Sequence, residues 1–403
     1  MHQLVRRAKN PMVGITFGNR VGSKGPSRKG AFLDQRIGEC YERQRTHFKV
    51  KTDLNWMTCM RICYVGHKFH KKTRSVGFFL DILRSLGSVE EFYSSPDEEN
   101  YCDDALIGRL SQSDFDCYVF LQTEYIAERL LPLGLGRFII VPMYDGAAGR
   151  PAKFWRQFAD AQFISFSRVH HDELQRCGCK TAYFQYFPKP ETRRSFDFAE
   201  PLSAFFWERR PGHEPSLQSV ARLCNKLGIT SLHLHAAPDL GQAVGQRLNR
   251  PEMFVMNNVE VTTSRWFEDR SDLDKMAGRT HFFFAPRALE GIGMSFIEAM
   301  ARGQIVVAPD QPTMSEYIRH RTSGLLYDFG DLEVDWKLTP KALDEMSRAA
   351  VTKTAIGCEQ WTLDQVRLKS LIVNDGQRWS TKDASSHFRN EIRRRASNRA
   401  RAQ

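Results

Sequence analysis

Two glutamates and a glycine turn between residues 290 and 298 have the residue types and spacing most suited to chemistry. Glu290 comes directly before the turn at residues 291–293, and Glu298 lies eight positions after Glu290. The backbone N–H groups of residues 291–295 stand at a predicted helix start, where they can bind an anion such as a diphosphate. The two carboxylates can accept hydrogen bonds from hydroxyl groups. A sugar nucleotide offers this combination of sugar hydroxyls, a diphosphate and ribose hydroxyls.

The flanking sequence predicts the elements that position these residues. An apolar run at residues 282–285 stops at Pro286, an amphipathic segment covers residues 295–302, and a second apolar run covers residues 305–308. This order is typical of two buried parallel strands joined by a helix. Gly303 stands where a left-handed residue commonly ends a helix. The glycine turn therefore falls at the carboxyl end of a strand, where open α/β sheets bind ligands.

Two other interpretations of the stretch stay open from its residues alone. Ser295 and Glu298 have the spacing of a capping box, in which Glu298 would only satisfy backbone N–H groups. The glycine turn could also begin a dinucleotide fingerprint, with Asp310 near the distance of a ribose-binding carboxylate. However, Phe296 occupies the position of that fingerprint's third glycine, and no lysine follows the turn as in a P-loop.

The stretch resembles the nucleotide-sugar site of the retaining glycosyltransferases of family 4, the "group 1" family with the GT-B fold. The family pattern E-G-[FI]-G-x-x-x-x-E-A-M-A-x-G-x-x-V-V-A is present from Glu290 to Ala308, and Glu316 and residues 323–326 match its continuation. The resemblance implies that Glu290 is catalytic and contacts the donor sugar, and that Glu298 binds the ribose. It also implies that donor oxygens are held by the backbone of Gly291, Ile292, Gly293, Met294 and Ser295.

Arg209 and Arg210 follow the apolar run that opens the predicted second domain. A donor diphosphate carries about two negative charges, and a positioned arginine can bind it bidentately. The family has an arginine here and a lysine several residues later, but residues 211–214 of this chain are Pro-Gly-His-Glu. We predict that Arg209 takes part in catalysis and that Arg210 binds the donor in place of the missing lysine. An exposed pair of cations is the alternative.

Alternating strands and helices predict an α/β protein with two doubly wound, Rossmann-like domains. The resemblance implies that these domains face each other across a cleft. We predict a basic, disordered extension at residues 1–59, an acceptor-side domain at residues 60–190 and a nucleotide-sugar domain at residues 202–345. Helical patterns cover residues 340–350 and 361–372. We assign residues 346–403 to the C-terminal helices and an Arg-rich tail, and the resemblance implies that the last helices cross back onto the first domain. Organised sequence begins at Met60, so we hypothesise that the native chain starts there.

The first predicted domain departs from the family pattern. The turn after its first strand contains Gly66, His67 and His70 instead of two adjacent glycines, and residue 122 after the strand at residues 117–121 is glutamine instead of histidine. Asp145 is the acceptor-side candidate, although an Asp-Gly pair is also common in turns. The acceptor therefore stays undetermined.

Charge and composition limit the possible partners. The net charge is +11, but residues 1–59 contain twelve Lys and Arg against four Asp and Glu, and residues 388–403 contain six Arg against one Glu. The near-neutral body does not resemble a nucleic-acid-binding fold. The basic ends fit either weak attraction to an anionic membrane or simple solvation.

No apolar run approaches the roughly 20 residues of a membrane span, and scattered cysteines indicate a reducing compartment. We predict a cytoplasmic protein that can also bind peripherally at the inner membrane face.

The resemblance implies transfer of a sugar from a nucleotide-diphosphate sugar to an acceptor hydroxyl with retention at the anomeric carbon. It implies no metal and no cofactor beyond the donor substrate. A glycan or lipid-linked acceptor of bacterial surface polysaccharide synthesis is the expected context. Two alternatives stay open: another nucleotide-sugar enzyme on the same fold, such as an epimerase, and a non-catalytic protein that binds sugar nucleotides or a membrane surface.

Overall fold

The computed structural model describes residues 60–73, 75–94, 104–190, 194–239 and 251–373. The predicted extension at residues 1–59 and the Arg-rich tail lie outside these residues. Within the described ranges, the chain folds into two β-sheets with helices packed on them.

Six parallel strands form the first sheet, in the order β2-β1-β3-β4-β5-β6. The strands are β1 Met60–His67, β2 Gly87–Ser94, β3 Cys117–Leu121, β4 Arg137–Val141, β5 Gln162–Ser165 and β6 Lys180–Tyr183. All five residues of β3 are buried, as expected for a parallel strand covered on both faces. The accompanying helices are α1 Lys68–Thr73, α2 Gly77–Arg84, α3 Asp104–Ser111, α4 Glu124–Leu130, α5 Tyr144–Ala147, α6 Ala152–Arg156 and α7 Arg168–Arg176.

Seven strands form the second sheet, in the order β13-β12-β11-β7-β8-β10-β9. The strands are β7 Leu202–Trp207, β8 Ile229–His235, β9 Met253–Met256, β10 Val259–Ser264, β11 Phe282–Phe284, β12 Ile305–Pro309 and β13 Leu325–Tyr327. Only β9 among these is antiparallel to its neighbour, and the sequence did not predict it. The helices are α8 Leu217–Lys226, α9 Arg270–Ala277, α10 Met294–Arg302, α11 Met314–Tyr317 and α12 Pro340–Val373.

Both sheets are doubly wound, which confirms the predicted fold class. In the first sheet the chain adds strands outward in opposite directions from β1 and β3, and in the second from β7 and β11. Loops at these switch points diverge to opposite faces and leave a crevice at the carboxyl ends of the strands. The strand order therefore locates one expected binding crevice on each sheet.

The last helix connects the two halves. The sequence predicted separate helices at residues 340–350 and 361–372, and this is wrong because α12 continues from Pro340 to Val373. Gly357 lies within α12, where glycine has a low helix propensity. A Cβ added at this position would lie 2.4 Å from the Phe187 ring, so the helix backbone packs closely on Phe187. This packing stabilises the helical turn at Gly357. Trp361 packs against Phe78, Phe166 and Tyr186 of the first half. The expectation that the C-terminal helical segment crosses back is confirmed.

A side-chain carboxylate from the second half also holds the two halves together. Glu316 of α11 accepts hydrogen bonds from the Arg168 backbone N–H at 2.9 Å, the Ser167 hydroxyl at 3.0 Å and the Tyr183 hydroxyl at 3.0 Å. Arg168 begins α7, so Glu316 satisfies one backbone N–H group at that helix start. This residue of the family pattern therefore fixes the relative position of the halves.

Candidate functional site

Charged side chains meet at the switch point of the second sheet. Arg209 follows β7, Asp239 follows β8, and Arg287 and Glu290 follow β11, so parallel strands deliver all four to one edge. Arg209 Nε donates to Asp239 Oδ1 at 2.8 Å, and its side chain is 13% exposed. Arg210 Nε lies 3.9 Å from Asp239 Oδ2, and its side chain is 42% exposed. Of the two predicted arginines, Arg209 is central and Arg210 lies at the rim.

Arg287 occupies the centre of this cluster. Its Nη2 donates to Asp239 Oδ2 at 2.7 Å, and its Nη1 donates to Asp145 Oδ2 at 2.6 Å. The same Nη1 lies 4.0 Å from Glu290 Oε2. Asp145 belongs to α5 of the first half, so this ion pair crosses the cleft. Carboxylates from both halves thus share one guanidinium, which is 11% exposed.

Glu290 is held by backbone contacts and buried beside the arginines. Its carbonyl accepts a hydrogen bond from Thr313 Oγ1 at 2.7 Å, and its side chain is 7% exposed. Burial raises the pKa of the carboxyl, and the positive charges of Arg287 and Arg209 act in the opposite direction. Glu290 Oε1 and Arg287 Nε are buried without a protein hydrogen-bond partner. Unsatisfied buried polar atoms are uncommon and fit a site that a polar ligand completes.

The glycine turn brings backbone from the second half close to the first half. A Cβ on Gly291 would lie 2.7 Å from Met143 Cβ, so only glycine allows this approach. Gly293 has φ +78° and precedes α10, and a Cβ there would overlap the Phe296 ring. Gly303 ends α10 in the left-handed conformation, which confirms the predicted helix end. The turn and helix start therefore have the form that the sequence predicted.

The structure contradicts both alternative interpretations of this stretch. The N-cap of α10 is Gly293 without a side-chain cap, so Ser295 lies inside the helix and forms no capping box with Glu298. The Phe296 ring is fully buried and packs on Tyr317 at a centroid distance of 5.7 Å. It fills the space that a dinucleotide fingerprint leaves open. Asp310 is exposed.

Neutral and aromatic groups line the corresponding edge of the first sheet. His67 Nε2 lies 2.8 Å from the Gln122 carbonyl oxygen, and Gln122 Nε2 donates to Asp145 Oδ1 at 3.1 Å. Burial and the nearby His67 lower the pKa of His70 to about 4, and the adjacent Gln122 side chain acts in the opposite direction. Gln122 has φ +55°, an uncommon conformation for this residue type. Gln122, at the position where the family has histidine, organises this edge.

Most of the predicted site residues lie together. Glu290, Arg209 and the turn form one edge of the cleft, Ile292 is buried, and Met294, Ser295 and Glu298 are partly exposed in the first turns of α10. Prediction missed Arg287 and Asp239. Each follows a strand of the second sheet by three or four residues, so a survey of charged residues after every predicted strand would have found them.

The described residues contain neither a metal-ligand cluster nor a membrane-spanning helix. No group of three or more His, Cys, Asp or Glu side chains in this part of the chain could hold a metal ion. No helix within the same residues is long and apolar enough to cross a bilayer.

Comparison with known proteins agrees with this arrangement. Residues 255–346 match the family described as "Glycosyl transferases group 1". No curated protein sequence matches the chain. The fold is similar to that of Anabaena HepE in complex with UDP and glucose, with 14% identity, a TM-score of 0.51 and coverage of 77% of this chain and 99% of that one.

Two further solved structures have the same architecture. Sucrose-phosphate synthase from Thermosynechococcus elongatus has 13% identity and a TM-score of 0.56, with coverage of 77% of this chain and 98% of that one. The lipopolysaccharide outer core galactosyltransferase WaaB has 13% identity and a TM-score of 0.50, with coverage of 78% and 99%. The chain therefore has the GT-B fold. The residues that match the group 1 glycosyl transferases include strands β10 to β13 and the site loop, whereas β7 and β8 lie outside the match.

Proposed function

We propose that this protein transfers a glycosyl group from a nucleotide-diphosphate sugar to an acceptor hydroxyl, with retention at the anomeric carbon. One observation carries the proposal: Glu290 is buried between Arg209 and Arg287 at a topological switch point, directly before a helix start. Cations and helix-start amides suit a diphosphate, and the unpartnered Glu290 Oε1 suits a sugar hydroxyl. Retention is what the resemblance to family 4 implies.

The chemical cost of the reaction lies in the charge that develops on the departing diphosphate. Arg209 neutralises this charge and the backbone amides of residues 291–295 donate to its oxygens, while Arg210 contacts the donor from the rim. Fixed donors in a site shielded from water stabilise such charge without reorganisation. Because arginines and amides supply the stabilisation, the reaction requires no metal ion.

The two glutamates divide the recognition of the donor. Glu290 accepts a hydrogen bond from a sugar hydroxyl and places the anomeric carbon at the cleft. Glu298, partly exposed on α10, accepts hydrogen bonds from the ribose. A carboxylate accepts from hydroxyls without donating, so each glutamate selects hydroxyl-bearing groups over phosphate.

The acceptor is a hydroxyl of a glycan or of a lipid-linked sugar. The edge of the first sheet carries histidine and amide groups that can hydrogen-bond a neutral sugar, and Asp145 stands at its centre. The WaaB structure is named as a lipopolysaccharide galactosyltransferase, which supports bacterial surface polysaccharide synthesis as the context. The basic chain ends support a peripheral position at an anionic membrane.

The test is a thermal-shift screen of the full chain against UDP-, GDP- and ADP-sugars, followed by a transfer assay with the stabilising donor. A donor at 100 times its dissociation constant should stabilise the fold by about 2.7 kcal/mol. The anomeric configuration of the product is then read by NMR. UDP-sugars come first because the HepE structure contains UDP.

The outcomes separate this proposal from its alternatives. Donor-dependent glycosylation of an acceptor supports it. Conversion of the donor to an isomer without any acceptor would identify an epimerase. Absence of stabilisation by every sugar nucleotide, together with salt-sensitive binding to anionic vesicles, would instead identify a binding protein.

A further inference from the structure

The sequence lacks the lysine that group 1 enzymes place after Arg209, and the structure brings a different cation to that region. Arg210 was predicted to replace it, but its side chain is 42% exposed and its Nε lies 3.9 Å from Asp239 Oδ2. Arg287 lies three residues before Glu290, its side chain is only 11% exposed, and it contacts Asp239 together with Arg209. The central position therefore belongs to Arg287.

The present partners of Arg287 differ in how firmly they are held. Asp239 accepts from both Arg209 and Arg287, and its backbone N–H donates to the Arg209 carbonyl at 2.9 Å. Asp145 comes from the other half of the molecule, and its second oxygen already accepts from Gln122 Nε2 at 3.1 Å. Asp145 therefore keeps its hydrogen bond from Gln122 if Arg287 turns away. Asp239 is instead held by Arg209, which belongs to the same half as Arg287.

The charges of the cluster indicate what a bound diphosphate must change. Three arginines and three carboxylates balance, as the pairs among Arg209, Arg210, Arg287, Asp145, Asp239 and Glu290 show. A diphosphate adds about two negative charges, and buried like charges repel strongly. An arginine that exchanges one carboxylate oxygen for a phosphate oxygen keeps a charge-assisted hydrogen bond at that nitrogen and removes one close repulsion.

We infer that Arg287 is the second diphosphate-binding cation of this protein, and that the donor displaces Asp145 from its Nη1 while Nη2 keeps Asp239. This inference rests on the proposed function. Displacement frees one oxygen of Asp145 on the acceptor side of the cleft. Donor binding therefore prepares the acceptor site, and the donor binds first.

The experiment measures binding of UDP, GDP and ADP, and of UMP, GMP and AMP, to the full-length protein by calorimetry. The variants are Arg287→Gln, Arg287→Lys and Asp145→Asn, each with its thermal midpoint. The matched control is Arg222→Gln, which removes a surface arginine paired with Glu333 at 2.9 Å. For the nucleoside diphosphate that binds best, Arg287→Gln should weaken affinity about ten- to a hundredfold, the scale for loss of a charged hydrogen bond.

The expected pattern has three parts. Arg287→Gln leaves affinity for the matching monophosphate within about threefold, and Arg287→Lys restores part of the diphosphate affinity because the charge returns. Asp145→Asn raises diphosphate affinity, since the amide competes less well for Arg287. The Arg222→Gln protein binds like the wild type.

Three results would overturn the inference. If Arg287→Gln binds the diphosphate as the wild type does, the second cation lies elsewhere while the proposed function stands. If Asp145→Asn lowers the diphosphate affinity or leaves it unchanged, Arg287 only stabilises the contact between the two halves. If the wild type binds none of the six nucleotides, the proposed function fails and this inference fails with it.

Discussion

The two switch-point edges of the molecule have opposite chemical character. The edge of the second sheet holds arginines and carboxylates in direct contact, with Arg209 and Arg287 both bound to Asp239. The edge of the first sheet holds the largely neutral groups of His67, His70 and Gln122, and His67 Nε2 lies 2.8 Å from the Gln122 carbonyl oxygen. Asp145 joins the two edges through its ion pair with Arg287.

The difference matches the ligands that we assign to the two edges. A diphosphate is anionic, and its binding requires fixed cations and backbone donors. A sugar hydroxyl is neutral, so neutral donors and acceptors suffice and a strong field would add little discrimination. Each sheet places its own loop residues at the cleft, so one fold can present two edges of different chemical character.

The largest effect is expected from Glu290→Gln, which would show how far the charged edge controls the reaction. The amide keeps the shape but loses the negative charge beside Arg209 and Arg287. Sugar transfer should fall by a hundredfold or more, on the order seen when one electrostatic group is removed from an active site. The measurement is kcat/KM with the donor found in the screen.

Two controls accompany Glu290→Gln. Its thermal midpoint should stay close to that of the wild type, because the Thr313 bond is made to the backbone carbonyl. If Glu290→Gln keeps full transfer activity, Glu290 does not take part in catalysis. The difference in charge between the two edges would then have no effect on the reaction rate.

The next effect concerns pH and compares one histidine from each half. Burial, then the charge of His67, lowers the pKa of His70 to about 4, and burial, then His233, does the same for His235. Unfolded histidine gains a proton near pH 6.5, but the folded forms stay neutral until about pH 4. Each histidine should therefore cost about 2 kcal/mol of unfolding free energy when the pH falls from 7 to 5.

The measurement is urea unfolding of the wild type, His70→Asn and His235→Asn at pH 7 and at pH 5. Each variant should lose less stability over this interval than the wild type, whatever its stability at pH 7. Equal losses in all three proteins would contradict the burial argument. A change in only one variant would show that the two edges differ in solvation as well as in charge.

The smallest effect tests the packing that joins the halves. Gly357→Ala on α12 would place a methyl group 2.4 Å from the Phe187 ring, which costs about 1–3 kcal/mol. Alanine recovers up to about 1 kcal/mol through helix propensity, so the net loss should be about 1 kcal/mol. Calorimetric unfolding measures it.

The matched control for Gly357→Ala is Gly108→Ala on α3. No heavy atom lies within 4 Å of a Cβ at position 108, so only the propensity gain remains and this variant should be slightly more stable. If the two variants shift stability in the same direction, α12 is not closely packed on the first half at this point.

Sequence reasoning was most successful where a segment decides its own structure. The strands at residues 117–121 and 282–284 and the helix end at Gly303 were predicted because buried parallel strands are continuous apolar runs and glycine favours the left-handed conformation. It failed for α12, where packing against Phe187 outweighs the weak propensity of Gly357. It also missed the short antiparallel strand β9, whose pairing depends on β10.

By itself the sequence determined the α/β class, the glycine turn and the candidate glutamates, since these depend on patterns within about 50 residues. Only the tertiary structure gave Arg287 its position, because its partners Asp239 and Asp145 lie 48 and 142 residues away. It also decided that the Arg209 side chain is only 13% exposed while that of Arg210 is 42% exposed at the rim. Electrostatic contacts act through space, and the sequence order of charged residues carries little information about which of them will meet.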